Sequence, residues 1–194
     1  MKLLLLMCMF CLYCFQCVAF PEVIDFEKRK HNSIKHFEIG PMIVPYYGDV
    51  LETSVLYGSR FNYHLTQAWS LGSTVMYGDS IYDNASPVIS GRNSNTHLIY
   101  DGHFMYSIPA ALRISNDIPL EADMYTILGA GEEYIGGDRH ITILVGGGLK
   151  MYTGIPWLAV RIGIRDYFYK LNVGGSNKTV DDLLMMIGVS ILLF

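Results

Sequence analysis

The chain has 194 residues, 51% of them hydrophobic and only 16% charged, with a formal net charge of −4. Soluble domains usually carry about 25% charged residues, so this composition disfavours an ordinary soluble domain. No run of basic residues is present, which argues against a nucleic-acid partner.

Residues 1–19 predict a secretory signal, with Lys2 before an apolar core and small residues at its end. All four cysteines lie inside it, so the mature chain would have no disulfide: Cys8, Cys11, Cys14 and Cys17. A lipoprotein signal cut before Cys17 is the alternative, but it needs a small preceding residue where the chain has Gln16. Residues 20–34 predict a periplasmic lead-in.

From residue 35 onward the apolar residues recur with a period of two, which is typical of β-strands. In the stretch 157–170, aliphatic residues alternate with small residues and arginines. Eight strands are predicted, at about 35–45, 52–64, 68–78, 105–114, 118–132, 140–152, 157–170 and 182–194. Two prolines weaken the first strand because each removes a backbone donor. No segment after the signal is apolar over 18 residues, so a spanning helix is not expected.

The predicted connections alternate in length. Strands two and three, four and five, and six and seven are joined by short turns, whereas residues 79–104 and 172–180 form longer loops. This layout is typical of outer-membrane barrels, whose short turns are periplasmic. The sequence therefore predicts an all-β fold, an eight-stranded antiparallel transmembrane β-barrel of residues 35–194, with both termini in the periplasm.

Charged residues of the predicted strands lie opposite the aliphatic face of their own strand. They are Arg60, His64, Arg113, Glu121, Asp123, Lys150, Arg161 and Arg165. In a transmembrane barrel these side chains face the lumen, whereas in a soluble lipid-binding barrel they face water. Aromatic residues near the predicted strand ends favour the membrane barrel: Tyr63, Trp69, Tyr77, Tyr106, Tyr134, Tyr152, Trp157, Phe168 and Tyr169.

An eight-stranded barrel is just wide enough for side chains to fill, so charges in its lumen are expected to pair. We expect Glu121 and Asp123 to neutralise the arginines. Glu121→Ala should then destabilise the chain more than Asp83→Ala. A gated conduit or a small-ligand site that uses the same arginines is the alternative interpretation.

Four stretches resemble a known family: SRFNYHLTQAWSLG (59–72), LGAGEE (128–133), WLAVRIGIRDYFYK (157–170) and DDLLMMIGVSILLF (181–194). They are similar to the "outer membrane beta-barrel domain" proteins of myxobacteria and related lineages. The resemblance implies an eight-stranded, OmpA/OmpW-like barrel in the outer membrane of a Gram-negative bacterium. It implies no assigned activity and no functional residues to transfer.

Motifs for chemistry are weak. The histidines show no metal-ligand spacing, and no Gly-x-Ser-x-Gly motif is present. Asp101, His103 and Ser94 are predicted to be dispersed loop residues. Gly146-Gly147-Gly148 predicts close packing and not a phosphate loop. We therefore expect no catalytic residue, cofactor or metal.

The favoured hypothesis is a non-enzymatic outer-membrane protein with a structural or surface-interaction role. A narrow channel or carrier for small hydrophobic or anionic molecules is the alternative, and a soluble periplasmic lipid-binding barrel is a third. Expected partners are outer-membrane lipid, a surface ligand at loops 79–104 and 172–180, and the barrel-assembly machinery, which would read Leu192 and Phe194.

Overall fold

The computed structural model describes residues 36–48, 53–80, 95–115, 118–173 and 176–193. They form eight strands: β1 (Phe37–Gly48), β2 (Ser54–His64), β3 (Trp69–Ser80), β4 (Asn95–Ser115), β5 (Ile118–Ile135), β6 (Asp138–Tyr152), β7 (Leu158–Val173) and β8 (Ser176–Leu193). Each strand is antiparallel to its neighbours and β8 pairs with β1, which confirms the predicted closed barrel. The predicted signal and lead-in lie outside the described residues. No helix in the described ranges is long and apolar enough to cross a membrane.

Residues 95–104 of the first predicted long loop, and most of the second, are strand. β4 begins at Asn95 and not near residue 105, and residues 172–180 belong largely to β7 and β8. The interior side of β4 is polar in this stretch, because His97, Asp101 and His103 face inward. That polarity made a strand look like a loop in the sequence. Residues 81–94 remain outside the described part of the chain.

The register of the closed sheet sets the strand tilt. Following register partners from Phe37 through β2 to β8 leads back to β1 at Tyr47, ten residues further along. A shear of ten over eight strands goes with a tilt of roughly 40°. Because the strands are tilted, a residue at the same height along the barrel axis on the next strand is offset from the register partner by slightly more than one position. We call the end that holds residues 36 and 193 the terminal end, and the other the distal end.

The outside of the barrel is apolar. Exposed aliphatic residues such as Ile39, Val75, Leu128, Ile162 and Ile187 lie between two rows of aromatic residues. The rows are Phe37, Trp69 and Tyr106 toward the terminal end, and Tyr47, Tyr57, Tyr77 and Tyr100 toward the distal end. At roughly 3.3 Å per residue and this tilt, Phe37 and Tyr47 of β1 lie about 25 Å apart along the barrel axis and Trp69 and Tyr77 of β3 about 20 Å. These spacings are close to the height of the apolar band of transmembrane barrels, about 25 Å.

The two faces of the wall exclude the soluble alternative, which requires an aliphatic interior and a polar exterior. The structure has an apolar exterior, and its interior contains both apolar residues and many charged and polar residues. Two aromatic residues expected near the membrane interfaces instead face the interior: Tyr169 is buried, and Tyr152 donates a hydrogen bond to Asp123 at 2.5 Å.

Candidate functional site in the barrel interior

Glu38 is the centre of a charged cluster near the terminal end, which we call the terminal cluster. Its side chain is 1% exposed. Oε1 lies 2.7 Å from Nε of Arg161, and Oε2 accepts hydrogen bonds from Lys150 Nζ at 2.9 Å and Arg161 Nη2 at 2.8 Å. His64 Nε2 lies 3.0 Å from Oε2, and Asn62 Nδ2 donates to Oε1 at 3.3 Å. These charge-assisted contacts offset the cost of burying the three charges.

Asp101 organises a second cluster, the central cluster, about half-way along the barrel. Oδ2 accepts hydrogen bonds from Arg165 Nη1 at 2.8 Å and from the Tyr167 hydroxyl at 2.6 Å. Oδ1 lies 2.7 Å from His103 Nδ1, which is the donor when Asp101 is ionised. Arg165 also donates to Thr74 Oγ1 at 2.9 Å. The cluster ties β3, β4 and β7 together across the lumen.

An apolar layer crosses the lumen on the distal side of the central cluster. The register places one inward aliphatic or methionine side chain from each of six strands at nearly the same height. All are 0% exposed: Val44, Leu56, Met76, Ile99, Leu144 and Leu184. Such a layer leaves no polar path between the two ends of the described lumen.

A distal cluster lies beyond this layer and contains a serine–histidine–carboxylate chain. Ser80 Oγ lies 2.9 Å from His97 Nδ1, and His97 Nε2 lies 2.6 Å from Glu133 Oε1. The ring of Tyr46 packs edge-on against His97 at 4.8 Å, and Asp182 is buried nearby. The order of groups matches a hydrolytic triad. Ser80 and His97 are 1% and 0% exposed, however, so the chain fastens strands and offers no substrate access.

One polar cluster lies on the outside, at the distal aromatic row and extending beyond it. Tyr100 and Arg139 donate hydrogen bonds to Glu132, and the Tyr134 hydroxyl donates to Glu132 Oε2 at 3.1 Å. The rings of Tyr100 and Tyr134 stack with centroids 5.9 Å apart. The cluster joins β4, β5 and β6 on the outer wall.

The charges predicted for the lumen fall into three groups. Buried in the interior are Arg60, Asp123, Lys150, Arg161 and Arg165. His64 is half-buried beside Glu38. Glu121 is exposed, and the side chain of Arg113 lies outside the described part.

For Arg161 and Arg165, the expected neutralisation by Glu121 needs correction, since their carboxylate contacts are Glu38 and Asp101. Glu121 lies near the terminal end of β5, where its side chain reaches solvent. Glu38 and Asp101 take the role assigned to it. Leu192, expected to be read during assembly, is buried, and Phe194 lies outside the described residues.

Sequence reasoning missed Glu38, Asp101 and His103. Glu38 lies on the correct face of the predicted first strand, but it is a single acid in a proline-weakened strand. Asp101 and His103 alternate with Tyr100, Gly102 and Phe104, and that alternation is the signal that would have extended the fourth strand. They are predicted from the sequence to be dispersed loop residues, whereas the structure places both in the central cluster. No group of three or more potential ligands in the described part is arranged to hold a metal ion.

The chain matches no family model and no curated protein sequence. Solved structures match it in fold. Neisserial surface protein A is 14% identical, with a TM-score of 0.51 over 81% of this chain and 97% of that one. The outer-membrane protein Ail of Yersinia pestis, solved in a bilayer nanodisc, is 14% identical (TM-score 0.40), covering 79% and 97% of the two chains. The N-terminal barrel of Pseudomonas aeruginosa OprF is 12% identical (TM-score 0.38), covering 78% and 96%. This protein is a transmembrane β-barrel of the outer-membrane type.

Proposed function

We propose that this chain is an outer-membrane protein of a Gram-negative bacterium with a structural or surface-interaction role, and that its lumen does not conduct. The observation that carries the proposal is the apolar layer, in which six side chains with no exposed surface fill one cross-section of the barrel. Because the interior is filled by side chains, we infer that the outer wall and the distal end make the contacts with other molecules.

The alternative of a narrow channel or carrier requires a polar path through the lumen. The terminal and central clusters contain arginines, but each lies on the terminal side of the apolar layer and is held by carboxylates. We infer that these charges stabilise the barrel and do not transport a solute.

Planar-bilayer recording tests this inference. We expect the purified chain to give no conductance steps, because the apolar layer excludes hydrated ions. A Leu144→Ser, Leu184→Ser variant is the matched control, since it replaces two members of the layer with small polar residues and should admit current. Steady conductance from the unaltered chain, changed by Arg161→Ala, would favour the channel alternative.

The surface role also requires the distal end to face outward, which cysteine labelling tests. Asp138→Cys at the distal end should react with a membrane-impermeant maleimide on intact cells. Ile155→Cys at the terminal end should react only after the cells are permeabilised. Both positions are exposed, so access to solvent does not differ between them. The opposite labelling pattern would reverse the orientation and withdraw the surface role.

A surface ligand was expected at two long loops, residues 79–104 and 172–180, and the structure changes the surface that such a ligand would contact. Residues 95–104 and most of 172–180 are barrel wall, so we propose the distal strand ends as the contact surface. Outer-membrane lipid around the apolar wall and the barrel-assembly machinery remain the other proposed partners.

A further inference from the structure

The seam between β1 and β8 is interrupted where β1 contains proline. On its other side, β1 pairs with β2 without a break from Phe37 to Tyr46. The β8 side lacks the pairs of residues 40–41 and 44–45, although both strands are described there. Pro41 and Pro45 have no backbone N–H to donate, which accounts for both gaps.

A cavity of about 10 Å³ lies at the first of these gaps. Its lining includes wall residues Gly40, Pro41 and Val189 and the inward side chains of Arg60, Arg161 and Met186. The volume is enough for one particle about the size of a water molecule.

Arg60 is a buried cation that forms no ion pair with any carboxylate in the described part of the chain. It is 6% exposed. Nη2 donates to the sulfur of Met186 at 3.0 Å, and the guanidinium carbon lies 6.0 Å from the ring centroid of Tyr125. Nε has no hydrogen-bond partner. A thioether is a weak acceptor, so these contacts do not replace the hydration that the guanidinium loses.

The charge balance of this part of the lumen also indicates that Arg60 lacks a counter-charge. On the terminal side of the apolar layer, the described buried side chains include four that are cationic, apart from histidine: Arg60, Lys150, Arg161 and Arg165. The inward-facing carboxylates there are three: Glu38, Asp101 and Asp123. Asp166 is also buried, but it alternates with the inward-facing Arg165 and Tyr167 and therefore lies on the other face of β7. Arg161 and Arg165 each contact a carboxylate directly, so the excess positive charge falls on Arg60.

We propose that the cavity binds one monatomic anion, chloride, held by Arg60 and the neighbouring Arg161. A single negative charge balances the excess and gives Arg60 an anionic acceptor, since Nε has no hydrogen-bond partner and Nη2 donates to a thioether. Carboxylate and phosphate groups are too large for the space, whereas chloride is only slightly larger than water. The flexible thioether of Met186 can accommodate the difference. This site is independent of what the distal surface contacts.

Thermal unfolding of the purified chain in detergent tests the proposal. At equal ionic strength, sodium chloride should raise the melting temperature above its value in sodium gluconate, in a saturable way and by a few degrees. Arg60→Met should abolish the difference. Arg139→Met, which removes an exposed arginine, should keep it. Equal melting temperatures of the unaltered chain in the two salts, or an undiminished chloride effect in Arg60→Met, would overturn the site.

A second measurement covers the case in which Arg60→Met does not fold. Crystals of the unaltered chain grown in sodium bromide should show an anomalous difference peak in the cavity beside Arg60. A water-sized density feature there without anomalous signal would show that water occupies the cavity and would overturn the proposal.

Discussion

Replacing Glu38 by glutamine should be among the most destabilising single changes in this barrel. The substitution keeps the size of the side chain but removes the negative charge that faces Lys150 and Arg161, which are both 4% exposed. Removing one partner of a buried ion pair typically costs about 3–5 kcal/mol. We expect about 3 kcal/mol, because the glutamine carbonyl can still accept one of the hydrogen bonds. With an m-value of about 2 kcal/mol/M, the urea midpoint would fall by roughly 1.5 M.

The assay is equilibrium urea unfolding in lipid vesicles, followed by the fluorescence of Trp69 and Trp157. Both indoles lie on the outside near the terminal end, so unfolding changes their environment. Glu121→Gln is the matched control, because its carboxylate is exposed, and it should change stability by no more than about 0.5 kcal/mol. Adding Lys150→Met to Glu38→Gln should recover part of the loss, since one unbalanced cation is removed. Equal urea midpoints for Glu38→Gln and Glu121→Gln would refute the assignment of Glu38 as the central acid.

Three further predictions use the same unfolding measurement. Asp101→Asn should cost about 3 kcal/mol because it leaves the buried guanidinium of Arg165 without its carboxylate. Glu133→Gln should be neutral or stabilising, since no lysine or arginine contacts Glu133 within the described residues. A larger loss of stability for Glu133→Gln than for Asp101→Asn would contradict this order. Gly148→Ala should cost about 1–3 kcal/mol, because its new Cβ would lie 2.3 Å from a backbone oxygen, while Gly102→Ala meets nothing within 4 Å and should be tolerated. Ile187→Arg on the outer wall should cost about 2–4 kcal/mol in vesicles, and an unchanged midpoint would count against lipid contact there.

Much of the fold follows from the alternation of residues along the chain. The stretch 157–170 shows the principle, because Arg161 and Arg165 share a face opposite the aliphatic residues, and that face is the buried one. The alternation reports only which residues share a face. The low charge content and the aromatic residues near strand ends then favour membrane on the aliphatic side. The glycines at 146–148 are a second case in which the sequence pattern predicted the structure, since the predicted close packing is present at Gly146 and Gly148.

Strand ends were predicted less well where polar residues face the interior. Residues 95–104 read as a loop because they contain histidine, aspartate, asparagine and glycine. The pattern that marks a strand is a contrast between two faces, and here the inward face is polar while the outward face is broken by Gly102. Only the pairing of β4 with β3 and β5 satisfies the backbone groups of this stretch and makes it a strand.

The sequence by itself predicted an eight-stranded barrel, because a period of two assigns every side chain to one of two faces, and its low charge content and aromatic residues favoured the charges on the inside. It did not determine which charges meet. Glu38 and Arg161 are 123 residues apart in the chain, and their contact depends on the shear that brings β1 and β7 to the same height across the lumen. Register is a property of the closed sheet as a whole, and a shift of a single strand would give each charge different neighbours. The apolar layer, and the absence of an ion pair between Arg60 and any described carboxylate, are decided in the same way, by the tertiary structure alone.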